Sequence, residues 1–280
     1  SIHARNHPDK IAYQMAGSGK AITYRELDEL SNQGAHLFRS LGLKPGDHIA
    51  ILMENRLAFM EICWAAQRSG LYYTAISRYL TEEEIAYIIK DCGAKVFITT
   101  PQCADKVKGL IKGEAGEPLF YMMDEPAPGF RSYDKEAAAQ PTTPVADEVA
   151  GYDMLYSSGT TGRPKGIKKE FEGNRIDVPN PFLRILTADM CGMNADSIYL
   201  SPAPLYHSAP QAAVNLTIRM GGTVVIMESF DPERYLQLVE QWGITHSQLV
   251  PTMFVRMLKL PEQVRSRYDL STLEIAVHAA

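Results

Sequence analysis

The eleven residues Tyr156–Gly166, YSSGTTGRPKG, bring three glycines, four aliphatic hydroxyls and a lysine together. Gly159 and Gly162 can adopt positive φ and let the backbone approach a bound anion, so that successive N–H groups point at it. Ser157, Ser158, Thr160 and Thr161 add hydroxyl donors, and Lys165 adds a point charge on a flexible stem. Pro164 stiffens the approach to that lysine at the cost of one backbone donor. Such residues in such an order suit a phosphate. They do not form the ordinary P-loop, G-x-x-x-x-G-K-[ST]: Pro164 stands where the second glycine belongs, and Gly166 follows Lys165 in place of a Mg²⁺-binding hydroxyl. A flexible Ser/Thr/Gly linker is the plainer alternative. The compact hydroxyl cluster, ended by one lysine between Pro164 and Gly166, weighs against it. A serine hydrolase is disfavoured too, because no G-x-S-x-G elbow occurs.

A second group is PAPLYHSAP, Pro202–Pro210, with Tyr206 and His207. A histidine after a strand, among prolines, can donate a hydrogen bond to developing negative charge; a packed or solvated imidazole is the alternative. Lys168 and Lys169 could draw anions towards the glycine-rich loop, with solvated surface charge as the default reading.

These groups need elements to hold them, and strand and helix signals alternate along the chain. Thr23 and Glu26 stand in capping-box spacing ahead of a helix that Gly42 can stop. HIAILM, His48–Met53, is a short apolar run that predicts a buried strand. A helix over LAFMEICWAAQRSG, a strand over LYYTAI, a helix capped by Thr81 and Glu84 and a strand over KVFITT follow. DMLY predicts the strand that feeds the loop. Beyond it come SIYLSPA, a helix from about Gln211 to Met220, GGTVVIM, PERYLQLVEQWG, THSQLV and a helix after Pro251. This rhythm predicts an α/β fold with largely parallel sheets. Residues 125–150, rich in Pro, Ala and charge, read as a surface connection, and KKEFEGNRIDVPNP as a mobile one. STLEIAVHAA reads as a strand, either an edge strand or one whose continuation lies beyond Ala280.

With 280 residues the chain can hold two subdomains. A net charge of −5 argues against nucleic acid as the main partner. No apolar run approaches the ~18 residues of a membrane span. The four cysteines are dispersed without a C-x-x-C pair, which fits reduced thiols in the cytoplasm and no metal site.

YSSGTTGRPKG closely resembles the signature phosphate loop of the adenylate-forming superfamily of acyl-CoA synthetases, amino-acid adenylation domains and luciferases. ITYRELDELSNQGAHLFRSLGLKPGDHIAILMENR, PAPLYHSAP and VPTMF resemble further segments of that family in its order, so the likeness extends over nearly the whole chain. It implies the large N-terminal domain of that fold, two βα-type subdomains with mixed, mostly parallel sheets in αβαβα layers. Residues from about 48 to 185 would carry the phosphate loop; residues 1–47 with 186–280 would form the other subdomain. The adenine, ribose and metal-binding segments, the barrel subdomain and the C-terminal domain would lie beyond Ala280, and the segment alone is then not expected to form an acyl-adenylate.

The implied activity is activation of a carboxylic acid by ATP, followed by transfer to coenzyme A, with Mg²⁺ bridging phosphate oxygens. Ser157, Ser158, Gly159, Thr160, Thr161, Gly162 and Lys165 would hold the β- and γ-phosphates. His207 would border the acid carboxylate and α-phosphate, with Tyr206, Thr252 and Met253 as pocket walls. The uncharged stretch LYHSAPQAAVNLTI favours a fatty acid, with an aryl acid next, since a buried substrate amine would lack a partner. A P-loop kinase and a non-catalytic nucleotide-binding module are the competing readings, and a homodimer is left open.

Overall fold

Parallel strands must bury both faces, so their sequences become continuous apolar runs rather than alternating ones. The computed structural model, which describes residues 2–125, 127–157, 164–176, 185 and 189–278, builds two sheets from such runs. In chain order the strands are β1 (Ile11–Met15), β2 (Ala21–Thr23), β3 (His48–Leu52), β4 (Tyr72–Ala75), β5 (Ala94–Thr99), β6 (Leu119–Met122) and β7 (Arg131–Ser132). They continue as β8 (Tyr152–Asp153), β9 (Leu155–Ser157), β10 (Lys165–Ile167), β11 (Ile198–Ser201), β12 (Thr223–Ile226), β13 (His246–Leu249) and β14 (Ile275–His278). The longer helices are α1 (Tyr24–Ser40), α2 (Leu57–Arg68), α3 (Glu82–Cys92), α4 (Ser208–Met220), α5 (Pro232–Trp242) and α6 (Pro251–Leu258).

The chain divides into two compact units, one of Ser1–Glu26, Asn55–Leu57 and Pro179–Ala280, the other of Leu27–Glu54 and Ala58–Val178. In the second unit the strand order is β7-β6-β5-β3-β4-β8 and every pairing is parallel. All five residues of β3, at the centre, are buried. Ile85, Ile88 and Ile89 of α3 pack in one cluster with Phe97, Val107 and Phe120, each such side chain contributing about 1.5–3 kcal/mol of apolar burial. In the first unit the order is β14-β13-β11-β12-β1-β2, parallel apart from the antiparallel β1/β2 pair. Leu200, Val225 and Leu249 from three of its strands meet Leu236 and Val239 of α5. The expected α/β class with mixed, mostly parallel sheets is what forms.

Local signals set the helix ends. Thr81 and Glu84 close a reciprocal capping box on α3. Thr23 and Glu26 do the same for α1, with Thr23 N–H donating to Glu26 Oε2 at 2.7 Å and Glu26 N–H to Thr23 Oγ1 at 3.2 Å. Gly42, at φ 83°, follows α1, and the Leu43 N–H reaches back to Phe38 O.

Three expectations change. Residues 125–150 are more than a surface connection: Arg131–Ser132 adds the outer strand beside β6, and a short helix, Tyr133–Ala138, buries Tyr133. A two-residue strand carries no periodicity to detect. β1 had no prediction, because its stability comes from parallel pairing with β12, more than 200 positions away. The unit boundary also differs from the expected position near residue 47. From Leu27 onward α1 packs within the second unit, where Gly34 lets it come close: a Cβ there would lie 2.7 Å from Ala65 Cβ and 2.5 Å from the Tyr133 hydroxyl.

Arg68, at the end of α2, ties these pieces together. Arg68 is 4% exposed, and its guanidinium reaches Asn32, Asp28 Oδ1 at 3.0 Å and Glu148 Oε1 at 3.8 Å. Arg68→Met is expected to destabilise the protein by about 3 kcal/mol, because a buried guanidinium that faces two carboxylates is lost. Urea unfolding measures this, and an unchanged midpoint would show the cluster to be energetically idle.

Candidate functional site

The glycine-rich loop is delivered by the edge of the all-parallel sheet. β8 pairs with β4, and the next residue continues that ladder: Met154 N–H donates to Tyr73 O at 3.0 Å, while Thr74 Oγ1 donates to Met154 O at 2.9 Å. The chain then turns into an antiparallel hairpin, β9 against β10, with Ser157 opposite Lys165, Tyr156 opposite Gly166 and Leu155 opposite Ile167. Ser158, Gly159, Thr160, Thr161 and Gly162, all assigned to phosphate binding, lie outside the described residues. Their two flanks are described, and the register fixes them: Ser157 and Lys165 face one another, with Ser157 Oγ donating to Lys165 O at 3.5 Å. Lys165 is exposed and has no ion-pair partner among the described residues.

Gly166 is required by its neighbour. A Cβ on it would lie 2.9 Å from Tyr156 Cζ and 2.5 Å from Met154 Cε, so the tyrosine ring occupies the space a side chain would need. The Tyr156 hydroxyl donates to Asp91 Oδ2 at 2.5 Å, in the last turn of α3. Burial first, and this bond second, push the phenol pKa far up. Sequence spacing gives no sign of the Tyr156–Asp91 tie, since its partners are 65 positions apart.

Lys168 and Lys169 are committed differently from Lys165. Lys169 pairs with Asp153 at 2.6 Å, and its carbonyl accepts the Tyr72 hydroxyl at 2.6 Å. Lys168 Nζ lies 4.5 Å from the Tyr72 ring centroid and 3.1 Å from His48 Nε2, and His48 itself stacks on Tyr72 at 4.7 Å. Only a neutral His48 can accept from that ammonium. Burial, then the Lys168 charge, lower the His48 pKa to about 4, with Asp47 opposing.

In the first unit, the strands β11 and β13 run parallel side by side, and the segments after their carboxyl ends carry the other predicted residues. After β11 the chain passes through Pro202–Leu205 to Tyr206 and His207. His207 N–H donates to Pro204 O at 3.2 Å, and Gln211 Nε2 donates to Leu205 O at 3.1 Å. His207 is the N-cap residue of α4, but its side chain makes no capping bond. The imidazole instead lies 4.3 Å from the Tyr206 ring centroid. Partial burial lowers its pKa. α4 begins at Ser208 rather than near Gln211, because Pro210 falls in the first turn, where no intrahelical N–H is needed. After β13, Pro251 opens α6. Thr252 is exposed there, whereas Met253 is buried in the cluster with Leu200, Ala203 and Leu249.

The four cysteines are free thiols, Cys63, Cys92 and Cys103 buried and Cys191 partly so. Among the described residues no group of three or more His, Cys, Asp or Glu side chains could hold a metal ion, and no helix is long and apolar enough to cross a membrane.

The two units are thus mostly parallel sheets, and the β9–β10 pairing brackets the glycine- and hydroxyl-rich run of the sequence. The family model of AMP-binding enzymes matches residues 1–280, and the chain belongs to that family. It is 33% identical to a feruloyl-CoA synthase of an Amycolatopsis species over 272 residues, which are 96% of this chain and 51% of that protein. Among solved structures, a putative long-chain-fatty-acid CoA ligase from Rhodopseudomonas palustris superposes with a TM-score of 0.84 at 20% identity, covering 100% of this chain and 68% of that one. The anthranilate CoA ligase AuaEII, in complex with anthranoyl-AMP, superposes with a TM-score of 0.83 at 22% identity, covering 100% and 54%. At such identities the superpositions speak for the fold alone. The chain spans about half the length of the curated relatives it matches.

Because the folded-state pKa of His48 is depressed, the unfolded chain binds more protons between about pH 4 and the ordinary imidazole value of 6.5. Stability is therefore expected to fall as pH drops through that window, by on the order of 1 kcal/mol once solvent screening is allowed for. In His48→Gln that portion of the pH dependence should vanish in urea titrations at pH 7 and pH 4.5. An identical acid-side loss in the variant would assign it to other groups.

Proposed function

We propose that the protein activates a carboxylic acid with ATP and passes the acyl group to coenzyme A. The acid carboxylate attacks the α-phosphorus, the bond to the β,γ-diphosphate breaks, and acyl-adenylate and pyrophosphate form. The coenzyme A thiol then attacks the acyl carbon, and AMP leaves as the thioester forms. The reading rests on one observation above all: a hairpin register that sets exposed Lys165 directly across from Ser157, at the two ends of the hydroxyl-rich loop of an AMP-binding enzyme.

Such a reaction asks for charge stabilisation and placement rather than a protein nucleophile. Lys165, with Ser157, Ser158, Thr160 and Thr161 and the backbone at Gly159 and Gly162, is assigned to the β- and γ-phosphates. His207 is assigned to the acid side. Its lowered pKa favours the neutral imidazole, which can donate one N–H bond to an oxygen gaining charge without adding a second positive centre. Tyr206 and Thr252 are assigned to the wall of the acid pocket; Met253, buried in the core with Leu200, Ala203 and Leu249, would act through packing. Mg²⁺ is expected to ride on phosphate oxygens; the described residues supply no protein site for it. The reaction is assigned to the cytoplasm, where reducing conditions suit four free thiols.

The acid is hydrophobic in this reading. Uncharged Ala209, Ala212 and Ala213 near Tyr206 are compatible with a fatty acid. The relative at 33% identity, named for feruloyl-CoA, favours an aryl acid instead. Pyrophosphate release by the full-length protein, measured against fatty acids of graded length and against aryl acids, with and without coenzyme A, decides between them. Release with neither class would overturn the reading if it stayed at background. Lys165→Ala is expected to lower the adenylation rate about a hundredfold; an unchanged rate would remove the hairpin from the chemistry.

A further inference from the structure

Pro202 and Pro204 lack N–H groups, so the turn that carries Tyr206 and His207 can offer few backbone donors for holding itself in place. Its peptide groups at Ala203 and Leu205 are nonetheless buried and must be paired. The partner for both is Asn55, which follows β3 and groups with the first unit. Asn55 Nδ2 donates to Ala203 O at 3.1 Å and to Met227 O at 2.9 Å, and Leu205 N–H donates to Asn55 Oδ1 at 2.9 Å. Met227 immediately follows β12, and its N–H donates to Ser201 O at the end of β11. One side-chain amide thus joins the carboxyl ends of two adjacent parallel strands to the turn between β11 and α4.

Two carbonyls at the amide nitrogen and one N–H at its oxygen fix the orientation of the group, since the flipped form would oppose like with like at all three contacts. The requirement is specific to asparagine. Aspartate has no donor for Ala203 and Met227, glutamine is longer by a methylene, and alanine leaves three buried backbone groups unpaired.

We propose that Asn55 is the positioning residue of the acid-binding turn: its three-bond clamp on Ala203, Leu205 and Met227 holds Tyr206 and His207 in place for the substrate carboxylate. The clamp rests on the functional reading above for the role of that turn, while its geometry stands independently. Asn55 touches no reacting group and acts through the turn alone. The phosphate hairpin belongs to the other unit, so the consequence of losing the clamp should fall on the acid and spare ATP.

The test uses the full-length protein. In the wild type, native-state hydrogen exchange should show the Leu205 amide protected; fast exchange there overturns the clamp without any variant being needed. In Asn55→Ala, kcat/KM for the acid in pyrophosphate exchange should fall by about a hundredfold, as expected for a displaced reacting geometry, while KM for ATP stays within about twofold. Asn55→Asp, nearly identical in shape, should lose most of the same activity and retain the wild-type fold by circular dichroism. It serves in place of the alanine variant should that one fail to fold. Unchanged acid kinetics in a folded variant overturn the proposal, as does an equal loss towards ATP. Adding Asn55→Ala to His207→Ala should cost far less than it does alone; fully additive losses would place Asn55 outside the turn's function and overturn it. A silent His207→Ala combined with a protected Leu205 amide would sink the functional reading of His207 and leave the clamp supported.

Discussion

The antiparallel pairing of Leu155–Ser157 with Lys165–Ile167 is the constraint on which the proposed chemistry depends. Seven residues lie between those strands, two of them glycines, and the conformational freedom of such a run is entropically costly unless its ends are fixed. Both ends are fixed here. The incoming strand grows out of the parallel sheet through Met154, and the outgoing strand lies under the Tyr156 ring, which is pinned to Asp91. Gly166 is therefore a packing residue. Its missing side chain makes room for the ring that holds the hairpin shut.

Charge alone would not separate Lys165 from Lys168 and Lys169, three cations within five residues. Their surroundings do. Lys169 is neutralised by Asp153, and Lys168 is spent on an aromatic face and an imidazole. These contacts fasten the segment leaving the hairpin to β3 and β4, and they leave Lys165 as the lysine of this run that faces solvent without an ion-pair partner among the described residues. The same economy operates in the first unit, where proline-rich backbone after β11 is held by borrowed side-chain groups instead of its own ladder.

Much of the fold was legible because its signals are local. The capping boxes at Thr23/Glu26 and Thr81/Glu84, the stop at Gly42 and the apolar run at His48 all act over four to six residues, and each formed where it was expected. What escaped depends on long-range partners. β1 requires β12, Arg131–Ser132 requires β6, and α1 joins the second unit through Gly34 and Arg68. The site divides along the same line. Residue types announced the hydroxyl-rich loop, its lysine and the aromatic–histidine pair, whereas nothing in the run Met53-Glu54-Asn55-Arg56 announces hydrogen bonds to partners 148 to 172 positions further on. Met253 marks a third case. Its place in the motif suggested a pocket wall, and its side chain lies in the core.

The most direct measurement is a crystal structure of the full-length protein with ATP bound. Lys165 Nζ should lie within hydrogen-bonding distance, about 2.7–3.2 Å, of a β- or γ-phosphate oxygen, with the β9–β10 pairing intact. A triphosphate bound elsewhere, with Lys165 pointing into solvent, would contradict the central claim.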